Sequence, residues 1–162
     1  MMPRAGTGAP RGIMDVNLVI LAAGAGTRMK SDRPKVLHEV GGAPLLWHAM
    51  RAGRALEPAR TVVVAGTGFE EVAAAARAFD PEARIAHQRE RLGTGHAVLE
   101  AAEALEGAAG DALVLYGDTP FVRPDTLLAM TGARGGGADL VVLGFEAADP
   151  EARYGRLVTE GD

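Results

Sequence analysis

Short apolar segments alternate with longer alanine-rich segments along most of this chain, and this alternation limits its possible folds more than any other feature. The apolar segments carry nearly uninterrupted Val, Ile and Leu, and they predict strands at residues 17–22, 60–65, 84–87, 112–116 and 139–145. Apolar runs of this kind are typical of strands that are covered on both faces, as in a parallel sheet.

The segments between these strands predict helices at residues 44–56, 69–79, 94–105 and 125–131. Glu70 and Glu71 fall in the first turn of the second helix, where the helix dipole favours negative charge. Pro124 precedes the fourth helix, a common position for proline at a helix start. The alternating order predicts a Rossmann-like α/β fold, an open, mostly parallel sheet with helices on both faces.

Composition excludes several classes of function. The chain has 162 residues, enough for one domain with its own core. Its net charge of −4 argues against nucleic acid as a partner, because nucleic-acid-binding domains usually carry a basic surface. The absence of cysteine excludes disulfides and zinc–thiolate sites. No apolar run is long enough to span a membrane. We therefore expect a cytoplasmic protein with no membrane or nucleic-acid partner.

The two ends of the chain differ in character from the middle. Residues 1–13 are rich in Gly, Pro and Ala and predict a disordered lead-in to a domain at residues 14–162. Residues 155–159 predict the start of another strand, after which the sequence stops. This ending suggests a chain that is cut within its domain.

The loop after the first strand is the strongest functional signal in the sequence. It reads Leu21-Ala22-Ala23-Gly24-Ala25-Gly26-Thr27-Arg28, with Pro34-Lys35 just beyond. Open α/β sheets bind ligands at the carboxyl ends of their strands, and small residues there let backbone N–H groups approach phosphate oxygens. Arg28 adds a planar fork for phosphate and Lys35 adds a mobile positive charge. The combination predicts a triphosphate site.

Three further interpretations of this loop compete with the triphosphate site. A dinucleotide fingerprint needs a third glycine, and Met29 stands at that position. The Gly-Lys-Ser/Thr sequence of a Walker A loop is absent. The third interpretation is a plain connection in a glycine-rich chain, since 22 of the 162 residues are glycine. Arg28 and Lys35 on the same loop favour the phosphate site.

Residues 21–29 followed by Pro34-Lys35-Val36-Leu37 resemble the signature of the nucleotidyltransferases that make activated sugars. The resemblance is greatest to bacterial N-acetylglucosamine-1-phosphate uridylyltransferases. It implies the nucleotide-diphospho-sugar transferase fold, truncated here before the sugar-binding half. It also implies catalytic roles for Arg28 and Lys35, and nucleotide binding by the four residues at the start of the loop, Leu21, Ala22, Ala23 and Gly24.

A second segment, from Gln88 to Ala97, is similar to the uridine-recognition segment of the same family. A glutamine side chain has both a donor and an acceptor, so Gln88 could read the edge of a pyrimidine. Gly93 and Thr94 open a helix whose free N–H groups could meet the base. The alternative is a surface glutamine followed by a turn and helix cap. His96 is expected to pack or cap rather than act as a base.

Asp118 follows the fourth strand in Tyr116-Gly117-Asp118, which resembles the family's metal-binding motif and implies Mg²⁺ as the cofactor. A nucleotide-bound magnesium ion takes only one or two protein carboxylates. The alternative is an aspartate that caps the turn into Pro120. Gly155 lies in a segment similar to one that contacts the sugar phosphate in the family, although Arg153 stands where many relatives carry glycine.

These resemblances imply a UTP-dependent enzyme that makes UDP-N-acetylglucosamine and pyrophosphate from N-acetylglucosamine 1-phosphate, a step in cell-envelope precursor synthesis. Relatives continue with residues that complete the sugar and metal sites, and then with a β-helix that forms trimers. A fragment that binds nucleotide without turnover therefore stays an alternative. A related transferase that uses another base or sugar also stays open, as does a dinucleotide-binding protein.

Overall fold

The computed structural model describes residues 15–24, 26, 29, 31–149, 155 and 157–158. In chain order its elements are β1 (Val16–Ala22), a 3-10 turn (Lys35–Leu37), β2 (Glu39–Val40), β3 (Ala43–Pro44), α1 (Leu45–Arg54), β4 (Arg60–Ala65), α2 (Phe69–Phe79), β5 (Arg84–His87), α3 (Thr94–Leu99), α4 (Ala102–Leu105), β6 (Asp111–Tyr116) and α5 (Pro124–Gly135). β2 and β3 form a short antiparallel hairpin. The remaining elements alternate between strand and helix as predicted.

Four parallel strands form the main sheet in the order β5-β4-β1-β6. The chain builds outward from β1 to β4 and β5, and it then returns to place β6 on the other side of β1. The strand order therefore reverses between β1 and β6. Crevices at such reversals are where open α/β sheets bind ligands. The predicted parallel sheet is confirmed.

β1 is buried along its whole length, and its side chains contribute to two separate core layers. Leu18 and Ile20 pack with residues of α1, α2 and α5 on one face. Val19 and Leu21 pack with residues of α3 and α4 on the other. Successive side chains of a strand point to opposite faces, so an uninterrupted apolar run feeds both layers. Helices cover both faces of the sheet, as the sequence predicts.

The predicted helix at residues 94–105 is interrupted. The N–H of Ala101 donates to Val98 O at 3.0 Å, a tighter i→i+3 turn that ends α3 before α4 begins. Smaller differences occur at two other boundaries. α1 begins after Pro44, whose backbone is extended at ψ 145°, and α5 continues to Gly135 rather than ending at residue 131.

No strand forms at residues 139–145, so that prediction is wrong. Leu140 and Phe145 in this segment are 79% and 72% exposed. A strand needs a neighbouring ladder for its backbone groups, and within the described residues β6 pairs only with β1. The apolar composition that predicted the strand does not supply such a partner. The predicted strand at 155–159 is also not seen at its described residues, and the others lie outside the described part.

β6 is covered on one face only, although its apolar run predicted cover on both. Leu113 and Leu115 are buried, whereas Val114 and Tyr116 are 36% and 51% exposed. The reason is the position of the helices on that face, since α3 contacts β1 and α4 contacts β4 and β5. β6 lies beyond their reach at the edge of the described sheet.

Two further expectations concern the N-terminal lead-in and membrane-spanning segments. The predicted lead-in at residues 1–13 lies outside the described residues. Within the described residues, no helix has both the length and the apolar character needed to cross a membrane.

Gly53 in α1 lies against Leu18 of β1 and permits the close helix–sheet packing. A Cβ at Gly53 would overlap Leu18 Cδ2 and would stand 2.6 Å from Cδ1. Because Leu18 is fully buried, Gly53→Ala should lower the free energy of unfolding by about 1–3 kcal/mol, measured by urea denaturation.

Gly132→Ala in α5 is the matched control, because a Cβ there meets nothing within 4 Å. Alanine is the better helix former, so this variant should be as stable as the parent or slightly more so. Equal stability of the two variants would contradict the proposed packing role of Gly53.

Candidate functional site

The loops after β1 and β6 leave the sheet side by side. Leu21 is the register partner of Tyr116, and the N–H of Gly117 donates to Leu21 O at 2.9 Å. The chain segments that follow these strands, at Ala23 and Asp118, therefore start from neighbouring points on the same rim. This rim is the reversal point of the strand order, as the sequence predicts for a ligand site.

A cavity of about 270 Å³ opens at this rim. Its lining residues come from the ends of β1 and β6, the segments after β1, β5 and β6, the 3-10 turn and the start of α3: Leu21, Ala23, Gly24, Lys35, Val36, Gln88, Arg91, Gly93, Thr94, Ala97, Tyr116 and Asp118. Eight of these were predicted from the sequence as site residues. The fold therefore brings together residues that are up to 97 positions apart in the chain, as Leu21 and Asp118 illustrate.

Three of the predicted site residues do not line this cavity. The Ala22 side chain belongs to the core on the opposite face of β1. Gly155 is exposed and lies outside the cavity lining. Arg28 lies outside the described residues.

Lys35 and Asp118 form an ion pair across the cavity, with Nζ 2.6 Å from Oδ2. Their side chains are 35% and 32% exposed, so both groups are open to solvent and to a ligand. A pair with this exposure contributes little to stability, because solvent screens the attraction. It places a cation and a carboxylate together at the rim where the loops after β1 and β6 leave the sheet.

Two glycines allow the loop around Lys35 to adopt its position. Gly26 has φ 59°, and a Cβ there would lie 2.9 Å from Lys35 Cβ. Gly68 has φ 68°, and a Cβ there would overlap Pro34 Cγ. Both backbones are left-handed and both contacts are close, so the positions favour glycine for conformation and for space.

Gly24 differs from these two glycines. A Cβ added to Gly24 would meet nothing within 4 Å, although the residue lines the cavity. The fold does not need glycine at this position. Its missing side chain leaves space next to the backbone, which suits the close approach of a phosphate to peptide N–H groups.

Gln88 is buried at the rim, with only 6% of its surface exposed. Its backbone N–H donates to Ala65 O at 2.8 Å, which continues the β4–β5 pairing beyond the end of β5. Its side-chain Nε2 donates to Gly93 O at 3.1 Å and lies 3.1 Å from His96 Nδ1. The surface-residue alternative for Gln88 is therefore wrong, because its side chain is held in a polar network beside the cavity.

Arg91 is a cavity residue that was missed in the sequence analysis. It lines the cavity, and its Nη2 donates to Thr67 Oγ1 on the loop between β4 and α2. Its position between Gln88 and Gly93 could have indicated a site residue, because a cation within a predicted nucleotide-binding segment can face phosphate. Arg91 and Lys35 give the cavity two positive side chains.

A larger hollow of about 660 Å³ lies beside β5 and α3, on the outer edge of the sheet. Its lining includes Glu90, Glu100 and Glu103. These three carboxylates outnumber the one arginine of that lining, Arg89, whereas Lys35 and Arg91 outnumber Asp118 in the smaller cavity, which therefore suits a phosphate better.

Two of the other histidines have structural side-chain contacts. His48 Nε2 lies 2.8 Å from Val40 O, and the His87 ring stacks on Phe69 with centroids 4.3 Å apart. Within the described part of the chain, no group of three or more His, Cys, Asp or Glu side chains could hold a metal ion. Asp118 is a single, partly exposed carboxylate, which fits an ion that arrives with a nucleotide and keeps several water ligands.

Comparison with known proteins also indicates a nucleotide-binding domain. Residues 18–153 match the MobA-like NTP transferase domain. Over 149 residues, the chain is 64% identical to the bifunctional protein GlmU of Dinoroseobacter shibae and 65% identical to that of Ruegeria pomeroyi. These alignments cover 92% of this chain and 33% of each relative, so the chain spans about one third of their length.

A solved nucleotidyl transferase from Methanothermobacter thermautotroptrophicus has the same fold. Its TM-score is 0.60 at 26% identity, over 75% of this chain and 58% of that chain. The predicted fold class is confirmed by this similarity together with the parallel sheet.

The partial exposure of the Lys35–Asp118 pair predicts that it is not a structural element. Asp118→Asn and Lys35→Met should each lower the free energy of unfolding by less than about 1 kcal/mol in urea denaturation. A loss of several kcal/mol in either variant would mean that the pair holds the fold together.

Proposed function

Since this chain belongs to the MobA-like NTP transferase family, we propose that it carries the nucleotide-binding part of a cytoplasmic enzyme that makes UDP-N-acetylglucosamine and pyrophosphate. The substrates are UTP and N-acetylglucosamine 1-phosphate. The observation that carries the proposal is the cavity in which Gly24, Lys35, Gln88 and Asp118 meet at the reversal point of the sheet. The similarity to GlmU proteins supports this choice of substrates.

The nucleoside end of the cavity is formed by Gln88, Gly93 and Thr94. Gln88 is buried and its amide is held in place, so its hydrogen-bonding atoms have defined positions. Gly93 has φ 106°, which keeps its backbone in a conformation that favours glycine. We assign these residues to recognition of the uracil base, with Leu21 and Ala97 as apolar neighbours.

The phosphate end of the cavity is formed by the loop after β1 and by the side chains around it. The backbone of residues 21–24 approaches the triphosphate where Gly24 leaves space. Lys35 neutralises the attacking phosphate or the α-phosphate, and Arg28 neutralises charge on the leaving pyrophosphate. Gly155 is assigned to the sugar phosphate from its resemblance to the family segment.

The reaction is a substitution at the α-phosphorus of UTP. An oxygen of the sugar phosphate forms a bond to that phosphorus, and the bond from the α-phosphorus to the bridging oxygen breaks to release pyrophosphate. The attacking phosphate is already ionised, so no general base is needed. The chief barrier is repulsion between anions, and positioned cations lower it. Two unit charges 4 Å apart interact by about 4 kcal/mol at an effective dielectric of about 20.

Magnesium fits the carboxylate of Asp118, and it would neutralise phosphate charge when bound. In the free protein Lys35 pairs with this carboxylate at 2.6 Å. Lys35 has to release Asp118 before both groups can serve the ligand. The one-third exposure of each side chain allows this exchange at little cost to the fold.

A panel of nucleotides tests the proposal. UTP with magnesium should raise the melting temperature of the protein more than GTP, CTP or NAD, because ligands stabilise the state that binds them. Pyrophosphate release with N-acetylglucosamine 1-phosphate then separates an active enzyme from a fragment that binds without turnover. Protection by NAD and not by UTP would favour a dinucleotide-binding protein and overturn the proposal.

Gly24→Ala tests the phosphate end of the cavity. A methyl group fits the fold at this position but occupies the space next to the backbone, so UTP affinity should fall roughly tenfold or more in calorimetric titration while the melting temperature stays the same.

Gly95→Ala provides the matched control for that variant. A Cβ at Gly95 also meets nothing within 4 Å, but Gly95 does not line the cavity. Its UTP affinity should equal that of the parent. Unchanged UTP affinity in Gly24→Ala would remove the loop after β1 from the phosphate site.

Arg28→Ala tests the assignment of this residue to the leaving group. In a chain that shows turnover, the rate should fall by roughly 10²–10³, the usual effect of losing one donor to the transition state. Arg33→Ala is the control, because exposed Arg33 pairs with Glu39 at 3.4 Å. Near-normal pyrophosphate release by Arg28→Ala would exclude Arg28 from the mechanism.

A further inference from the structure

The side chain of Gln88 begins a chain of hydrogen bonds that leads away from the cavity to two residues without an assigned role. Gln88 Nε2 lies 3.1 Å from Gly93 O and 3.1 Å from His96 Nδ1. On the far side of the ring, His96 Nε2 lies 3.2 Å from Glu100 Oε1. The direction of each hydrogen bond in this series follows from which of the Gln88, Gly93, His96 and Glu100 atoms can donate and which can only accept.

Gly93 O can only accept a hydrogen bond, so the amide nitrogen of Gln88, and not its oxygen, faces Gly93. The same nitrogen can only donate, and therefore His96 Nδ1 has to be the unprotonated, accepting nitrogen of the ring. The proton of the neutral imidazole is then on Nε2, where it donates to the Glu100 carboxylate. The hydrogen bonds therefore all point the same way, from the Gln88 amide to His96 and from His96 to Glu100.

This chain of bonds uses both amide hydrogens of Gln88. Within the described residues, the two side-chain hydrogen bonds of Gln88 both come from Nε2. Its Oε1 is left for a ligand in the cavity that Gln88 lines. An oxygen acceptor pairs with a base that presents a ring N–H, such as uracil, whereas the ring nitrogen at the same position of cytosine is itself an acceptor and is repelled.

We infer that His96 and Glu100 are positioning residues that set the base specificity of the site by fixing which atom of Gln88 faces the nucleotide. The inference rests on the proposed function. Glu100 favours the histidine tautomer that accepts at Nδ1, and this tautomer strengthens the amide orientation that Gly93 O also requires. In that orientation the amide favours UTP over CTP. Without Glu100, a proton on His96 Nδ1 would oppose the Gln88 amide nitrogen, and the bond to Gly93 O alone would hold the amide in this orientation.

The experiment compares UTP with CTP in calorimetric titrations of the full chain and three variants. Glu100→Ala should reduce the preference for UTP over CTP about tenfold, since one hydrogen bond of the base is lost or reversed. Glu100→Gln should restore most of the preference, because its amide oxygen still accepts from Nε2–H. Glu103→Ala removes a neighbouring carboxylate that has no bond to His96 in the described structure and should match the parent.

A second measurement reports on the chain of bonds directly. Imidazole ¹⁵N spectra of the nucleotide-free protein should show the His96 proton on Nε2 in the parent and on Nδ1 in a larger fraction of Glu100→Ala. A parent protein with the proton on Nδ1 would overturn the inference, as would a Glu100→Ala variant that keeps the full preference for UTP. A parent that binds neither nucleotide would instead contradict the proposed function, and the spectra would still test the tautomer.

Discussion

The burial of β1 on both faces, with a parallel strand on each side, determines where the helices and the cavity lie. Its backbone pairs with β4 and β6, and its side chains fill both core layers. Because parallel strands end at the same rim, the loops after β1, β5 and β6 converge there. The cavity is thus a consequence of strand order. A slip of one residue in β1 would exchange its two faces, and the core prevents this.

Glycines at the rim have different physical roles although they look alike in the sequence. Gly26 and Gly68 have left-handed backbones and lie against Lys35 and Pro34, so they serve the fold around Lys35. A Cβ at Gly24 would meet nothing within 4 Å, so the fold does not require glycine there, and we propose that its role is to leave space for the ligand. A glycine-rich composition therefore does not by itself indicate function. The space around each Cβ position distinguishes the two roles.

Much of the fold was predictable because the apolar runs are local signals. β4, β5 and α2 begin and end where the sequence predicts, since the residues that indicate a strand or a helix lie within each element. The segment at 139–145 has the same apolar character and forms no strand, because pairing depends on a partner elsewhere in the chain. The break between α3 and α4 was also not predictable, since an alanine-rich stretch does not indicate where a tighter turn begins.

The class of fold and most of the residues around the cavity were predictable from the sequence, because the glycine-rich loop, Gln88 and Asp118 each stand next to a recognisable strand. Which of these residues meet depends on how the sheet and helices pack. This packing joined Lys35 to Asp118 across 83 positions, added Arg91 to the lining and linked Gln88 through His96 to Glu100. Strand and helix patterns act over a few neighbouring residues. The distances between charged side chains depend on the packing of the whole sheet.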